Sequence, residues 1–202
     1  MCLELVSPHA RGMLDWVDTA GNHAGTWTIL VRAAGSGAVQ SRYARELGSA
    51  VTWTIHQDAE ARAWSDVVDF PSAIAKRQHN ALVLQVAVPL DAVARAVEAA
   101  EAAALEQNFI CASVGRIGVG TLLFVMVPLV TDPPAAMQYV NAVSSLRGRL
   151  VKDSSAVVLR CPTEAKRHFS VWGTSPTDWV AMQMAKRALD PKYTLNRGRF
   201  LL

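Results

Sequence analysis

The chain of 202 residues is poor in cysteine and in long apolar runs, and each shortage excludes a class of protein. Its three cysteines, Cys2, Cys111 and Cys161, are widely spaced, which argues against a disulfide scaffold or a zinc ribbon and favours a reducing, cytoplasmic setting. The longest uncharged stretch, 117–131, is shorter than the about 20 apolar residues that a transmembrane helix needs. No signal peptide is expected, because Glu4 stands where such a segment carries positive charge.

Charged residues are also scarce, at 18% of the chain, whereas hydrophobic residues make up 51%. This composition excludes a disordered chain, because the apolar surface can offset the entropy lost on ordering. The net charge of +3 is uneven, since residues 160–202 hold eight basic and three acidic side chains. Such a basic end suits a phosphate-bearing cofactor, an acidic lipid surface or nucleic acid. We expect no nucleic-acid partner, because no binding motif accompanies the charge.

Hydrophobic periodicity predicts alternating strands and helices. Strands are predicted at 27–33, 51–55, 82–88, 110–114, 118–127 and 156–160, and helices at 36–47, 58–69, 90–104, 133–146 and 175–189. The helix at 58–69 is expected to stop at Pro71. The order predicts an α+β fold: a ferredoxin-like antiparallel sheet with helices on one face, plus a C-terminal helix and tail.

Three segments follow from this pattern: a lead-in at 1–24, a ferredoxin-like domain at 25–162, and the C-terminal helix and tail at 163–202. Alternation within the strands predicts that nine strand residues point to the helix-covered face: Trp27, Ile29, Val31, Leu84, Val86, Val88, Leu123, Val125 and Val158. In the last helix, Trp179, Met182 and Leu189 are expected to bury against the sheet or its helices, in the body of the domain.

No catalytic motif stands out. The five histidines have no metal-ligand spacing and no G-x-S-x-G elbow occurs, so we predict no metal site and no hydrolase of that type. The string GRIGVG at 115–120 is superficially like a phosphate loop. A strand follows it where a phosphate site needs a helix N-terminus. We therefore predict a turn between two strands, with a nucleotide loop as the alternative.

The most specific pattern closes the chain, where a Trp-Gly pair and a capped helix precede the string ALDPKYTLNRGRF. This string is similar to K-x-x-x-D-P-x-x-x-x-N-P-G-[KR], with the matching residues Lys186, Asp190, Pro191, Asn196, Gly198 and Arg199. Over roughly 25–202 the chain resembles the C-terminal cap domain of FAD-linked oxidases of the vanillyl-alcohol-oxidase type. It is most like the FAD-binding subunit of bacterial glycolate oxidase.

The resemblance implies a cap domain of an FAD-dependent 2-hydroxy-acid oxidoreductase that is inactive as an isolated chain. FAD would be held mainly by a separate FAD-binding domain, and other oxidase subunits are further expected partners; a homo-oligomer is left open. Asn196 and Arg199 become candidates for contact with the flavin or the domain interface. The H-x-G-D-G-N signature of the sister subunit is absent, and Arg197 replaces a proline of the pattern, so we expect a less rigid tail turn.

Arg116 and His56 are the candidates for binding a substrate carboxylate, chosen from chemistry because an arginine can contact a carboxylate through two nitrogen atoms. The simpler alternative for both is an ordinary surface side chain. A second function also fits the sequence, namely a stand-alone ferredoxin-like binding or interaction module without catalysis. The flavin colour of the purified protein distinguishes the two functions only if that protein includes a flavin domain. A cap domain alone is colourless.

Overall fold

The computed structural model describes residues 2–14, 25–130, 132–173 and 179–196. Its strands are β1 (Cys2–Val6), β2 (Thr28–Arg32), β3 (Leu82–Ala87), β4 (Phe109–Arg116), β5 (Thr121–Pro128) and β6 (Ser155–Arg160). Its helices are α1 (Pro8–Arg11), α2 (Gly37–Leu47), α3 (Gln57–Arg77), α4 (Val93–Leu105), α5 (Ala136–Arg149), α6 (Thr163–Lys166) and α7 (Trp179–Leu189). The six strands form one sheet in the order β2-β1-β4-β5-β3-β6, and every neighbouring pair is antiparallel.

The predicted α+β class and the ferredoxin-like core are confirmed. The stretch β3-α4-β4-β5-α5-β6 is a split β-α-β unit whose strands lie in the order β4-β5-β3-β6. Helices α4 and α5 contact each other and pack on one face of the sheet, the first face. Alanines line the buried side of α4, which lets its backbone approach the strands closely: Ala96, Ala99, Ala100, Ala103 and Ala104.

Helix α3 covers part of the opposite, second face, so the expectation that all helices lie on one face is wrong. The helix also runs through Pro71 and ends at Arg77. Its buried residues Val67, Phe70 and Ile74 keep helical spacing across the proline. An interior proline costs about 3 kcal/mol, but burial of a Phe or Ile side chain contributes about 1.5–3 kcal/mol each. Burial on both sides of Pro71 therefore outweighs the helix break.

The strand register explains which side chains face which helices. Leu84 lies opposite Phe124, and both belong to the core beneath α4 and α5. Leu123 and Val125, one position away, point to the second face, where Val125 is buried in the core beneath α3 and the partly buried Leu123 packs against that core. The prediction that Leu84, Leu123 and Val125 share a face was therefore wrong, because a shift of one residue along a strand reverses the side-chain direction.

The structure also differs from the predictions for residues 1–24 and 51–55. Residues 2–11 contribute β1 and α1 to the fold, and β1 lies inside the sheet between β2 and β4 rather than in a lead-in segment. The Ser7 hydroxyl accepts hydrogen bonds from the backbone N–H of Ala10 (3.2 Å) and of Ser113 (2.8 Å), which ties α1 to β4. The predicted strand at 51–55 is irregular, although Trp53 and Ile55 pack against the core of the second face. The predicted helix start at 175–178 lies outside the described residues.

Candidate functional site

The second face of the sheet has a covered half and an open half. Under α3 the strand residues are apolar and buried, among them Val83, Ala112 and Val125. Towards the β4–β5 turn, α3 no longer covers the sheet, and polar and small side chains stand beside a few apolar ones. We call this open half the open floor, and its members are Gln85, Ala87, Arg116, Thr121, Leu123, Ser155 and Val157.

The strand register makes the open floor continuous. One row of cross-strand neighbours runs from Arg116 to Thr121, Ala87 and Ser155. The next row runs from Leu123 to Gln85 and Val157. Cross-strand neighbours on one face lie about 4.5–5.5 Å apart at their Cβ atoms, so these side chains form one surface. That surface offers one cation, hydroxyl and amide groups, and patches of apolar contact.

Arg116 forms an ion pair with Glu4, the residue opposite it on β1. The Arg116 Nε donates to Glu4 Oε1 across 3.3 Å. The Glu4 side chain is only 7% exposed, whereas that of Arg116 is 66% exposed. Burial raises the pKa of Glu4, and the charge and hydrogen bond of Arg116 oppose that rise. Among the described residues the two terminal nitrogens of Arg116 have no hydrogen-bond partner, so they are available for a carboxylate ligand.

The other predicted substrate residue, His56, is exposed and directly precedes α3. Within the part of the chain that the structure describes, no contact joins His56 to Arg116. The first turns of α3 instead contact β2, where Arg32 pairs with Glu60 (2.6 Å) and lies over the ring of Trp64 (5.3 Å). The structure therefore places both predicted residues near the second face without bringing them together.

Glu4, the ion-pair partner of Arg116, is not among the residues that the sequence indicates for the candidate site, because the sequence pattern predicts a lead-in for residues 1–24. A weak signal was present in the string CLELV. There a charged residue alternates with apolar ones. This pattern is typical of a strand, whose charged position is either exposed or paired in a buried ion pair.

The segment that leads into the Trp-Gly pair of the closing pattern is held beside β6 by one arginine. The Arg147 guanidinium donates to the carbonyl oxygens of Ala156 (2.8 Å), Ser170 (2.8 Å) and Val171 (3.1 Å). The Val171 carbonyl also accepts from the backbone N–H of Val158 (2.7 Å). Burial lowers the pKa of Arg147. These contacts fix the chain as it leaves the sheet toward α7.

Helix α7 has no buried residue, so the expectation that Met182 and Leu189 bury against the body is wrong. Leu189 is 84% exposed. Apolar side chains lie on several sides of this helix, and the exposed ones include Val180, Met182, Met184 and Leu189. A helix that is apolar on most sides normally lies buried against other structure.

Beyond α7 the tail folds back on itself around Asp190. The Asp190 carboxylate accepts hydrogen bonds from Lys186 Nζ (2.5 Å) and from the backbone N–H groups of Thr194 and Leu195 (both 2.9 Å). The bond from Lys186 is the main cause that holds the pKa of Asp190 well below its usual range. Asn196, one predicted cofactor contact, follows this loop at a φ of 50°. The other, Arg199, lies outside the described residues.

The described residues contain no group of three or more His, Cys, Asp or Glu side chains placed to hold a metal ion. Burial raises the pKa of the Cys111 thiol to about 12, so this cysteine is an inert core residue. No described helix is long and apolar enough to cross a membrane.

The family model described as FAD linked oxidases, C-terminal domain, matches residues 6–147. The match spans most of the chain, from the end of β1 to nearly the end of α5. The chain belongs to this family. No curated protein matches the chain. Arg116 and His56 lie inside the matched range, whereas β6, α7 and Asn196 follow it.

Membership in the family of FAD-linked oxidase C-terminal domains implies association with an FAD-binding domain. The described part of this domain offers no cradle for the FAD pyrophosphate at the glycine-rich string. Residues Ile117–Val119 form a single 3-10 turn, and β5 follows where a phosphate site needs a helix. Gly120 has a φ of 67°, and a Cβ there would lie 2.0 Å from the Val88 carbonyl oxygen. The glycine thus serves a close backbone approach, and the predicted turn is confirmed.

Proposed function

We propose that this domain is the substrate and cap domain of an FAD-dependent 2-hydroxy-acid oxidoreductase of the glycolate type. The observation that carries the proposal is the open floor, a partly polar surface with one available arginine fork, in a member of the FAD-linked oxidase family. The isoalloxazine ring of FAD, held mainly by the FAD-binding domain, would supply the hydride acceptor opposite this floor.

Arg116 is the proposed carboxylate-binding residue. Glu4 engages only its Nε, so both terminal nitrogens face a ligand as a fork that matches the two oxygens of a carboxylate. Hydrogen bonds to a charged group contribute about 1.5–3 kcal/mol each. Thr121 lies beside Arg116 and offers a hydroxyl group, and Leu123 and Ala87 offer apolar contact that excludes water. His56 is the second proposed substrate residue, at the start of the helix that packs on the same face.

The C-terminal segment 163–202 is the proposed docking element for the FAD-binding domain. Helix α7 carries exposed apolar side chains and two basic residues in its last turn, Lys186 and Arg187. The family implies an FAD-binding domain as the partner, and contact with that domain would bury the apolar side chains of α7. Asn196 and Arg199 are the proposed contacts to the flavin or to the domain interface.

The test uses the natural protein that carries this chain together with its FAD-binding domain. Glycolate and lactate are added without oxygen, and loss of the oxidised flavin absorption band is followed for wild type and for Arg116→Gln. We expect the variant to raise the substrate concentration that gives half the maximal rate of flavin reduction by about tenfold or more, while the maximal rate changes less, because the carboxylate contact is present in both ground and transition states.

Arg95→Gln is the matched control, since Arg95 is an exposed helix residue paired only loosely with Asp91 (4.0 Å). A half-saturating substrate concentration for flavin reduction that is unchanged in Arg116→Gln contradicts the role of Arg116. A protein that neither carries flavin nor associates with an FAD-binding domain contradicts the proposed function and favours the stand-alone interaction module.

A further inference from the structure

The carboxylate of Asp190 is buried within an otherwise exposed tail. Its side chain is 5% exposed, although α7 buries no residue and Leu195 is exposed. Oδ1 accepts from the backbone N–H (2.9 Å) and the hydroxyl (3.1 Å) of Thr194. Oδ2 accepts from the Leu195 N–H (2.9 Å) and from Lys186 Nζ (2.5 Å). Each oxygen thus has two donors, which is a complete set for a buried carboxylate.

Lys186 closes the same loop from the helix side. Its side chain is 15% exposed, and its ammonium group donates to the Leu195 carbonyl oxygen (2.8 Å) as well as to Asp190. Arg187, the next residue, donates from Nε to the Tyr193 hydroxyl (3.0 Å). All these contacts lie within residues 186–195, so the loop is held by neighbours in sequence and needs no other domain to close.

The loop fixes an uncommon backbone shape. Tyr193 has a φ of 49°, in the left-handed region that a bulky residue seldom adopts, and Asn196 follows in the same region at 50°. Such conformations persist where the surroundings determine them, and the four donors on Asp190 are the surroundings here. Asn196 therefore leaves the loop in a direction that Asp190 sets.

We infer that Asp190 is the positioning residue of the tail: its carboxylate folds residues 190–196 onto the end of α7 and presents Asn196 as a preformed contact for the FAD-binding domain. The folding of the loop stands on the contacts alone. The presentation of Asn196 rests on the proposed function. Binding by a preformed loop avoids the ordering entropy that a disordered tail loses on contact.

The first test measures amide hydrogen exchange in the full 202-residue chain. In Asp190→Asn the amide nitrogen replaces one acceptor oxygen and the charge is lost, so we expect the Thr194 and Leu195 N–H groups to exchange about 10- to 100-fold faster. Lys186→Arg retains a cation and should keep most of the protection, whereas Lys186→Gln should lose it. Asp91→Asn, an exposed acid paired at the same i,i+4 spacing, is the matched control and should change nothing at these amides.

Unchanged exchange at Thr194 and Leu195 in Asp190→Asn overturns the inference. The loop test does not depend on flavin or substrate, so its outcome is independent of the proposed function. Because the contacts that protect these amides lie within residues 186–195, their exchange reports on the loop, whereas the amides of β3 and β5 report on global unfolding.

The second test measures the affinity of the chain for the separately expressed, FAD-loaded FAD-binding domain of the same natural protein. We expect Asn196→Ala and Asp190→Asn each to weaken binding by about tenfold, and the double variant to be no weaker than Asp190→Asn alone. A residue that acts only as a local helix cap would change the exchange rates and leave the affinity intact, and that result overturns the presentation of Asn196. Failure of the wild-type chain to bind overturns the proposed function instead, and leaves the exchange result to decide on the loop.

Discussion

Substitution of Ile74 by alanine tests whether α3 really continues past Pro71. Ile74 is 4% exposed and packs in the core beneath α3, three residues beyond the proline. A helix that stopped at Pro71 would leave this side chain in water. The substitution removes three carbon groups, which at about 0.8 kcal/mol each gives about 2.4 kcal/mol of lost transfer free energy. The cavity left behind adds to this, so we expect a loss of about 2.5–4 kcal/mol in the free energy of unfolding.

The measurement is urea unfolding followed by circular dichroism, with the midpoint and slope fitted separately. For a chain of this size the loss corresponds to a fall in Tm of about 5–15 °C. Val68→Ala is the control, because Val68 lies on the same helix but is 49% exposed, and its substitution should cost less than about 0.5 kcal/mol. An Ile74→Ala loss below about 0.5 kcal/mol would refute the continuous helix.

Three further predictions concern the site and the tail. Glu4→Gln should raise the free energy of unfolding at neutral pH, because burial raises the pKa of Glu4 in the folded state and the stability of the wild type falls as pH rises through that pKa. The gain in stability from the substitution should vanish in acid, below the ordinary pKa of 4.5. A series of urea midpoints at different pH values measures it. Gly120→Ala should destabilise the β4–β5 turn through collision with the Val88 carbonyl, visible as a lower Tm. The pKa of Asp190 is lowered, so protection of the Thr194 amide should persist as pH falls through the usual aspartate range near 3.9. Loss of this protection already at pH 5 in exchange experiments contradicts the hydrogen bonds assigned to the Asp190 carboxylate.

The ferredoxin-like core could be predicted because its elements carry clear local signals. Helix α4 combines a regular apolar spacing with a proline-containing start, and β3 is a short run of apolar and β-branched residues. The path of α3 could not be predicted from local rules. Pro71 is a strong helix breaker in isolation, and only the burial of Phe70 and Ile74 against the sheet, which is a tertiary effect, reverses that preference.

The candidate site was predictable only in part. Arg116 was accessible to sequence reasoning because guanidinium chemistry suits a carboxylate wherever it lies. Its partner Glu4 lies 112 positions earlier in the chain, and the pairing depends on the register of β1 against β4. Strand register between distant segments follows from packing of the whole sheet, so no local pattern could reveal this ion pair.

The composition of the second face supports a functional reason for its open half. Without α3, the apolar side chains of Val83, Ala112 and Val125 would lie in water. The covered half of this face is therefore apolar. In the open floor the same strands carry Gln85, Thr121 and Arg116, which need no cover for stability. The change from apolar to polar side chains occurs within single strands, two residues apart, at the boundary of α3. A surface that the described residues leave uncovered, and that carries an arginine paired through one nitrogen with Glu4, is suited to a small anionic ligand that another domain then encloses.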